Sequence, residues 1–152
     1  MRIALVALVL AGCAAATGSN ATADRAPPLG QTAASYRPAI EAAEAPFRVP
    51  GHVTAHLNEE VQIGDVRVKP LAVEEDSRCP PDAACVWAGR LRLRIAINGA
   101  AAQVMEMNQP VIVPGGQRLT LVGALPINWA LPPIGVDPNE PKRFAFSLSG
   151  MD

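Results

Sequence analysis

Apolar and polar side chains alternate with a period of two along most of the chain from Val53 onward. The clearest run is 87–97, where Trp87 shares one parity with four aliphatic residues and the other parity carries three arginines. Alternation over this length predicts a strand with one buried face and one solvated face. Asn98-Gly99 follows at once and favours a tight hairpin turn, because both turn positions need a positive φ.

The same period predicts several further strands. Two short alternating runs flank Gly64-Asp65, a pair that also favours a hairpin turn. After Pro70 the apolar parity flips, and one inserted residue, a β-bulge, has that effect. The remaining alternating runs predict strands over residues 101–107, 111–113, 118–122 and 143–148.

Strands this short and this frequent predict an all-β domain. Roughly six to eight antiparallel strands within about 100 residues fit a small antiparallel β-sandwich, and a small closed β-barrel is the alternative. The composition agrees with either architecture, since 15 prolines and 12 glycines favour turns over long helices.

The first twelve residues follow a different pattern. Arg2 precedes an uncharged apolar run that ends at Ala11. As a helix, the nine residues 3–11 would span about 14 Å, which is too short for a bilayer core about 30 Å thick. Residues 1–12 are therefore predicted to be a secretory signal peptide rather than a transmembrane anchor.

The tetrapeptide Leu10-Ala11-Gly12-Cys13 resembles the lipobox of bacterial lipoproteins. The resemblance implies diacylglycerol transfer to the Cys13 thiol, cleavage before Cys13, and acylation of the new amine with a chain such as palmitate. Several acyl chains give stable membrane anchoring where one does not. Ala14, in place of an aspartate, implies the outer membrane, facing the periplasm, if the cell is Gram-negative. The alternative is an ordinary secretory signal with an incidental cysteine.

The region after the signal peptide is rich in alanine, proline, serine and threonine. Such a composition cannot bury enough apolar surface to offset the entropy lost on ordering it. Residues 13–50 are therefore predicted to be a lipidated, flexible tether, in which Ala39 to Ala45 has the composition of a turn or two of helix ended by Pro46. The β-rich domain is predicted to occupy residues 51–152.

The charge balance and the reactive side chains argue against two classes of function. The chain has 13 basic and 14 acidic residues, whereas nucleic-acid binding needs clustered positive charge. Nucleophilic catalysis needs a base beside a serine or cysteine, and the two histidines, His52 and His56, lie at the junction with the tether. We therefore predict a non-enzymatic protein with no catalytic residue, no cofactor and no nucleic-acid partner.

Cys79 and Cys85 are the two thiols left once Cys13 is lipidated. In an oxidising compartment a disulfide between them is the expected outcome. A redox-active pair is an alternative, but such pairs usually have C-x-x-C spacing at the start of a helix. A zinc site is another, but it would need two more ligands, and the sequence places none nearby.

The runs Asp76-Ser77-Arg78-Cys79-Pro80 and Cys85-Val86-Trp87-Ala88-Gly89 resemble a motif, C-P-x4-C-x-W-x-G, of uncharacterised bacterial exported proteins and lipoproteins. The resemblance covers about residues 57–149 and implies an exported β domain with a disulfide, without implying an activity. From its parity, Trp87 is predicted to pack on the core beside the disulfide. Gly89 is predicted to allow a bulge or a close approach of two strands.

Two further clusters are candidate binding sites. Arg78, Arg90, Arg92 and Arg94 form a basic stripe that is a candidate surface for another envelope protein. The alternative is cross-strand pairing of the stripe with residues 74–76, which are all acidic. The side chains of Met105, Met107 and His56 are candidate ligands of Cu(I), which favours thioethers, although methionine more often fills cores.

These observations predict a membrane-tethered envelope lipoprotein that acts as a non-enzymatic binding or structural module. One alternative is a lipoprotein that binds a metal or a small ligand. Another is an inhibitor of an envelope enzyme, with the loop framed by the disulfide as the inserting element.

Overall fold

Two four-stranded antiparallel sheets form the protein, in a computed structural model that describes residues 32–150. The strand orders are β1-β8-β7-β6 in one sheet and β2-β3-β4-β5 in the other. This architecture confirms the predicted small antiparallel β-sandwich. The strands are β1 (Val53–His56), β2 (Val61–Ile63), β3 (Val66–Asp76), β4 (Leu91–Ile97), β5 (Gln103–Glu106), β6 (Val111–Ile112), β7 (Arg118–Leu125) and β8 (Arg143–Ser149).

One apolar core fills the space between the sheets. In β4 every second side chain is buried, as the period of two predicts, and β8 adds Phe144 and Phe146 from the opposite sheet. Among residues 32–150 no polar or charged residue is buried. The core therefore depends on apolar contact, at about 1.5–3 kcal/mol for each large side chain removed from water.

The predicted turn and bulge are both present. Asn98 and Gly99 adopt φ values of 52° and 72° and join β4 to β5, as expected for a hairpin turn. The register of β3 on β4 shifts between Pro70 and Ala72, which confirms the bulge inferred from the change of parity. Pro70 has no N–H to donate to the ladder, and it lies next to this bulge, where the ladder is already irregular.

The prediction for the start of β4 is wrong, because the strand begins at Leu91 rather than at Trp87. Trp87 is 60% exposed and does not pack on the core. Gly89 has a φ of +69°, and the disulfide between Cys79 and Cys85 closes the chain into a loop before the ladder begins. The parity of residues 91–97 therefore does not extend back to Trp87.

Part of the predicted tether is ordered and packs on the sandwich. Helix α1 (Arg37–Glu44) lies between two 3-10 turns, Ala33–Tyr36 and Ala45–Arg48. The helical segment is therefore longer than the turn or two predicted for residues 39–45, and Pro46 lies within the second 3-10 turn instead of ending the helix. A Cβ added to Gly123 of β7 would meet Pro46 at 2.9 Å and the Phe47 ring at 3.1 Å, so apolar contact orders this segment.

Helical structure is therefore present before the predicted boundary near residue 50. The signal peptide, Cys13 and the first part of the tether lie outside the described residues. Within 32–150, no helix is long and apolar enough to cross a membrane.

Candidate contact surface at the cysteine loop

The residues that connect β3 to β4, 77–90, form what we call the cysteine loop. Cys79 and Cys85 are joined by a disulfide with their Cα atoms 6.0 Å apart, which confirms the predicted pairing. At the base of the loop, the Ser77 N–H donates to the Arg90 carbonyl at 2.8 Å and the Cys79 N–H donates to the Ala88 carbonyl at 2.9 Å. These bonds continue the β3–β4 pairing for a short distance, after which the chain leaves the sheet.

Gly89 is the point at which the two sides of the cysteine loop come closest. A Cβ at this position would overlap the carbonyl oxygen of Ser77 and would lie 2.5 Å from the carbonyl carbon. The φ of +69° is in the left-handed region, which L side chains rarely adopt. Both facts explain why the motif ends in glycine, and they confirm the predicted close approach.

Arg78 fastens the cysteine loop to the opposite sheet. Its Nε and Nη2 donate to the two carboxylate oxygens of Asp76, each at 2.8 Å. Its Nη1 donates to the Ala124 carbonyl at 2.9 Å, and Nη2 also donates to the Pro126 carbonyl at 3.1 Å. Only 17% and 18% of the Arg78 and Asp76 side chains are exposed. The Arg78 guanidinium is thus engaged in internal contacts.

A second loop, residues 126–142 between β7 and β8, supports the cysteine loop from the side. Asn128 Nδ2 donates to the Arg78 carbonyl at 2.9 Å. The Asp82 carboxylate accepts from the N–H groups of Ala130 at 3.0 Å and Leu131 at 2.7 Å. We call this segment the proline loop. It fixes the cysteine loop through bonds that neither loop's own sequence indicates.

We expect removal of the disulfide to destabilise the protein without unfolding it. For the double variant Cys79→Ser/Cys85→Ser, chain-entropy arithmetic on so small a loop gives a loss of about 2 kcal/mol of unfolding free energy. The Arg78 and Asp82 contacts remain to hold the loop in place. Urea denaturation with and without reductant checks this. Reductant must lower the stability of the wild type and leave the variant unchanged, and an equal response of both proteins would contradict the expectation.

The tip of the cysteine loop is apolar and exposed. The side chain of Val86 is fully exposed and that of Trp87 is 60% exposed, at a bend of the chain. No backbone group of residues 84–87 bonds to another part of the described chain. Asp82 is the one ionisable side chain between the two cysteines, and both its oxygens accept hydrogen bonds from the proline loop. The disulfide and these hydrogen bonds therefore hold the loop in place, and its exposed tip carries no charge.

Of the remaining arginines of the predicted stripe, Arg92 and Arg94 lie on the outer face of β4, and Arg90 is the last residue of the cysteine loop. Arg90 Nε donates to Glu75 at 2.8 Å, and Arg94 forms an ion pair with Glu74 at 2.9 Å. Arg92 lies opposite Glu75 and Glu106 in the register of the neighbouring strands. The hydrogen bond from Arg90, followed by that from Ser77, holds the pKa of Glu75 below its ordinary value. Cross-strand pairing thus accounts for Arg90 and Arg94.

The candidate metal ligands lie in different parts of the sandwich. Met105 is fully buried in β5, and Met107 packs against the same core. His56 is exposed at the end of β1, a strand of the other sheet, and its Nδ1 lies 3.1 Å from the Lys142 carbonyl. Across residues 32–150, no cluster of three or more His, Cys, Asp or Glu side chains is arranged to hold a metal ion.

The sequence pattern did not indicate that three apolar residues of the cysteine loop and the proline loop are exposed. Val86 occupies a variable position of the motif, and Leu131 and Ile134 lie in the proline loop, where no hydrophobic period exists. Their side chains are 102%, 55% and 70% exposed. The way in which these two loops, distant in sequence, lie against each other leaves the three side chains on the surface. Exposure of large apolar side chains in loops is therefore visible only in the folded protein.

Comparisons with protein-family models, with curated protein sequences and with solved structures found no match to this chain.

Proposed function

We propose that this protein is an exported lipoprotein, lipidated on Cys13, whose β-sandwich is a non-enzymatic binding module of the cell envelope. The lipobox and the short apolar run before it support the anchor. Ala14, in place of an aspartate, supports an outer-membrane location facing the periplasm if the cell is Gram-negative. The cysteine loop supports the binding role. Its tip is the contact surface for another envelope component, and the sandwich holds that tip in one conformation.

One observation carries the binding role: Val86 and Trp87 project into solvent from a loop that is fixed at several points. Large exposed apolar side chains mark interaction surfaces, and tryptophan is enriched among the residues that dominate binding energy. A loop held in its bound conformation loses little entropy on binding. The disulfide, the Arg78–Asp76 pair and the Asp82 bonds supply that preorganisation.

The anchor is tested by fractionation of Cys13→Ala in the natural host. We expect the wild type to sediment with membranes and to carry acyl chains on the fragment that begins at Cys13, whereas the variant enters the soluble fraction. The Cys79→Ser/Cys85→Ser variant serves as the matched cysteine control and must remain with the membranes. A wild-type protein without acyl chains, or a variant that sediments with membranes although its signal peptide has been cleaved, would overturn the anchor.

The contact surface is tested with a photoreactive amino acid placed at residue 86 or at residue 112 in intact cells. Ile112 is a suitable control because it is 61% exposed and lies on β6, beside the end of β7 that is remote from the proline loop. We expect covalent adducts from residue 86 that residue 112 does not give. Identical or absent adducts at both positions would refute the proposed surface.

Inhibition of an envelope enzyme is a second candidate function. The observation that favours it is the free backbone of residues 84–87, because an enzyme cleft can pair with such groups while a pocket accepts the side chain of Trp87. A photoadduct between residue 86 and one envelope enzyme, together with inhibition of that enzyme by the purified protein, would select this function.

A further inference from the structure

Four large apolar side chains are exposed at one end of the sandwich. Val86 and Trp87 belong to the cysteine loop, and Leu131 and Ile134 belong to the proline loop; we call these four residues the apolar end. The Asp82 carboxylate joins the two loops through the N–H groups of Ala130 and Leu131. Both loops leave their sheets on the same side, since Arg78 of one bonds to the Pro126 carbonyl of the other.

The chain from the N-terminus enters the fold at this same end. Thr32 forms an isolated parallel bridge with Ile134. Eighteen residues, 14–31, separate Thr32 from Cys13, and a chain of that length extends no further than about 60 Å. A lipid on Cys13 would therefore be tethered to the end of the sandwich that carries the exposed apolar side chains, so this end can reach the surface that holds the anchor.

We infer that the apolar end docks on the phospholipid surface that holds the anchor, with Trp87 and Val86 entering the interfacial region of the bilayer. This inference rests on the proposed lipidation of Cys13. Tryptophan is enriched at membrane interfaces because its large ring is apolar while its N–H remains hydrated. The anchor keeps the domain at a high local concentration near the surface, so a small apolar contact is sufficient.

The charges near the apolar end indicate which kind of lipid surface fits. Arg78 pairs with Asp76, Arg90 pairs with Glu75, and the proline loop carries one lysine, Lys142, against Asp137 and Glu140, so this end has no basic patch to recruit acidic headgroups. Docking then depends on apolar contact and takes place on a zwitterionic phosphatidylcholine surface as well as on an acidic one. For the same reason, added salt has little effect on it, in contrast to docking through a basic patch.

The backbone of the tip limits the depth of insertion. The N–H and C=O groups of residues 84–87 have no partner among the described residues, and each unpaired group costs several kcal/mol in hydrocarbon. These groups must stay among headgroups and water. The side chains of Trp87 and Val86 therefore reach only the outermost part of the acyl region.

The chain offers an internal pair of reporters for this geometry, because it has two tryptophans. Trp129 packs edge-on against Tyr36 with ring centroids 5.2 Å apart, whereas Trp87 is at the tip. The Trp129→Phe variant leaves Trp87 as the fluorescent reporter, and Trp87→Phe leaves Trp129. Both are prepared as the full lipidated protein in phosphatidylcholine vesicles whose acyl chains carry bromine at a shallow or a deep position.

We expect shallow bromines to quench Trp87 about twofold more strongly than deep ones, as an interfacial ring requires, and to quench Trp129, which packs against Tyr36, less than Trp87. Leu131→Ser/Ile134→Ser in the Trp129→Phe background must weaken the quenching of Trp87, and Ile112→Ser must not. Equal quenching of both tryptophans, or a Trp87 that is unquenched and fully accessible to iodide, overturns the inference.

Failure of the inference is distinguishable from failure of the proposed function. If Cys13 carries no lipid in cells, the proposed anchor is refuted, and the membrane docking that rests on it is refuted as well. If Cys13 is lipidated but Trp87 stays in water on vesicles, while residue 86 gives protein adducts in cells, the contact surface stands and membrane docking is refuted.

Discussion

Replacing Gly89 by alanine is expected to lower the free energy of unfolding by about 2–5 kcal/mol. Two costs add at this position. A left-handed φ costs a residue with a Cβ about 1–2 kcal/mol, and forcing an atom into a filled space costs about 1–3 kcal/mol more. The obstacle is the Ser77 backbone, which cannot rotate away as a flexible side chain would. The base of the cysteine loop must therefore open.

Gly99→Ala is the matched control, because Gly99 has almost the same φ, +72°, and nothing within 4 Å of an added Cβ. It bears the cost of the left-handed backbone without the clash. Chemical denaturation of both variants separates the two costs. Equal destabilisation would show that the approach of Ser77 to Gly89 is not as close as described, and near-UV circular dichroism would report whether Trp87 changes its environment in Gly89→Ala alone.

Asp76→Ala is expected to have an effect of similar size, about 2–3 kcal/mol. Removing one member of a buried ion pair costs about 3–5 kcal/mol because the other charge is left without its partner. The estimate is lower here because 17% and 18% of the two side chains are exposed. Arg78 would keep its bonds to the Ala124 and Pro126 carbonyls, so we expect the cysteine loop to loosen while the sandwich stays folded.

Two comparisons by urea denaturation test whether the unpaired charge of Arg78 causes the loss of stability in Asp76→Ala. Glu60→Ala removes a surface partner of Arg67, 3.7 Å away and about half-exposed, and should change stability by less than about 0.5 kcal/mol. The double variant Asp76→Ala/Arg78→Ala should be less destabilised than the sum of its two single variants, because no unpaired charge remains. Strict additivity would mean that the pair contributes no interaction energy.

Much of the sandwich was predictable from the period of two. The runs that became β4 and β8 have one face in the core, and a wrong register would place all of those side chains in water. The bulge after Pro70 was predictable for the same reason, since a change of parity has few other causes. For the segment before β1, the composition predicted a turn or two of helix, but its packing on the sandwich was not predictable, because that packing depends on Pro46 and Phe47 meeting β7.

The candidate site was only partly predictable. The motif indicated the disulfide and the role of Gly89, since both depend on residues close together in sequence. The environment of Trp87 was predicted wrongly, because parity is informative only within an unbroken ladder, and the ladder ends at Leu91. The contacts of Arg78 and Asp82 join segments about fifty residues apart, and a single sequence does not specify such contacts.

The cysteine loop divides its residues between two tasks. Arg78, Asp82 and Gly89 hold the conformation, together with Asp76 at the end of β3, whereas Ala83, Ala84 and Val86 are exposed. Substitutions at the second group change what the protein presents to its surroundings without disturbing how it folds. A different short apolar or polar sequence at the exposed positions would therefore change the surface of the loop while the same fixed residues hold its conformation.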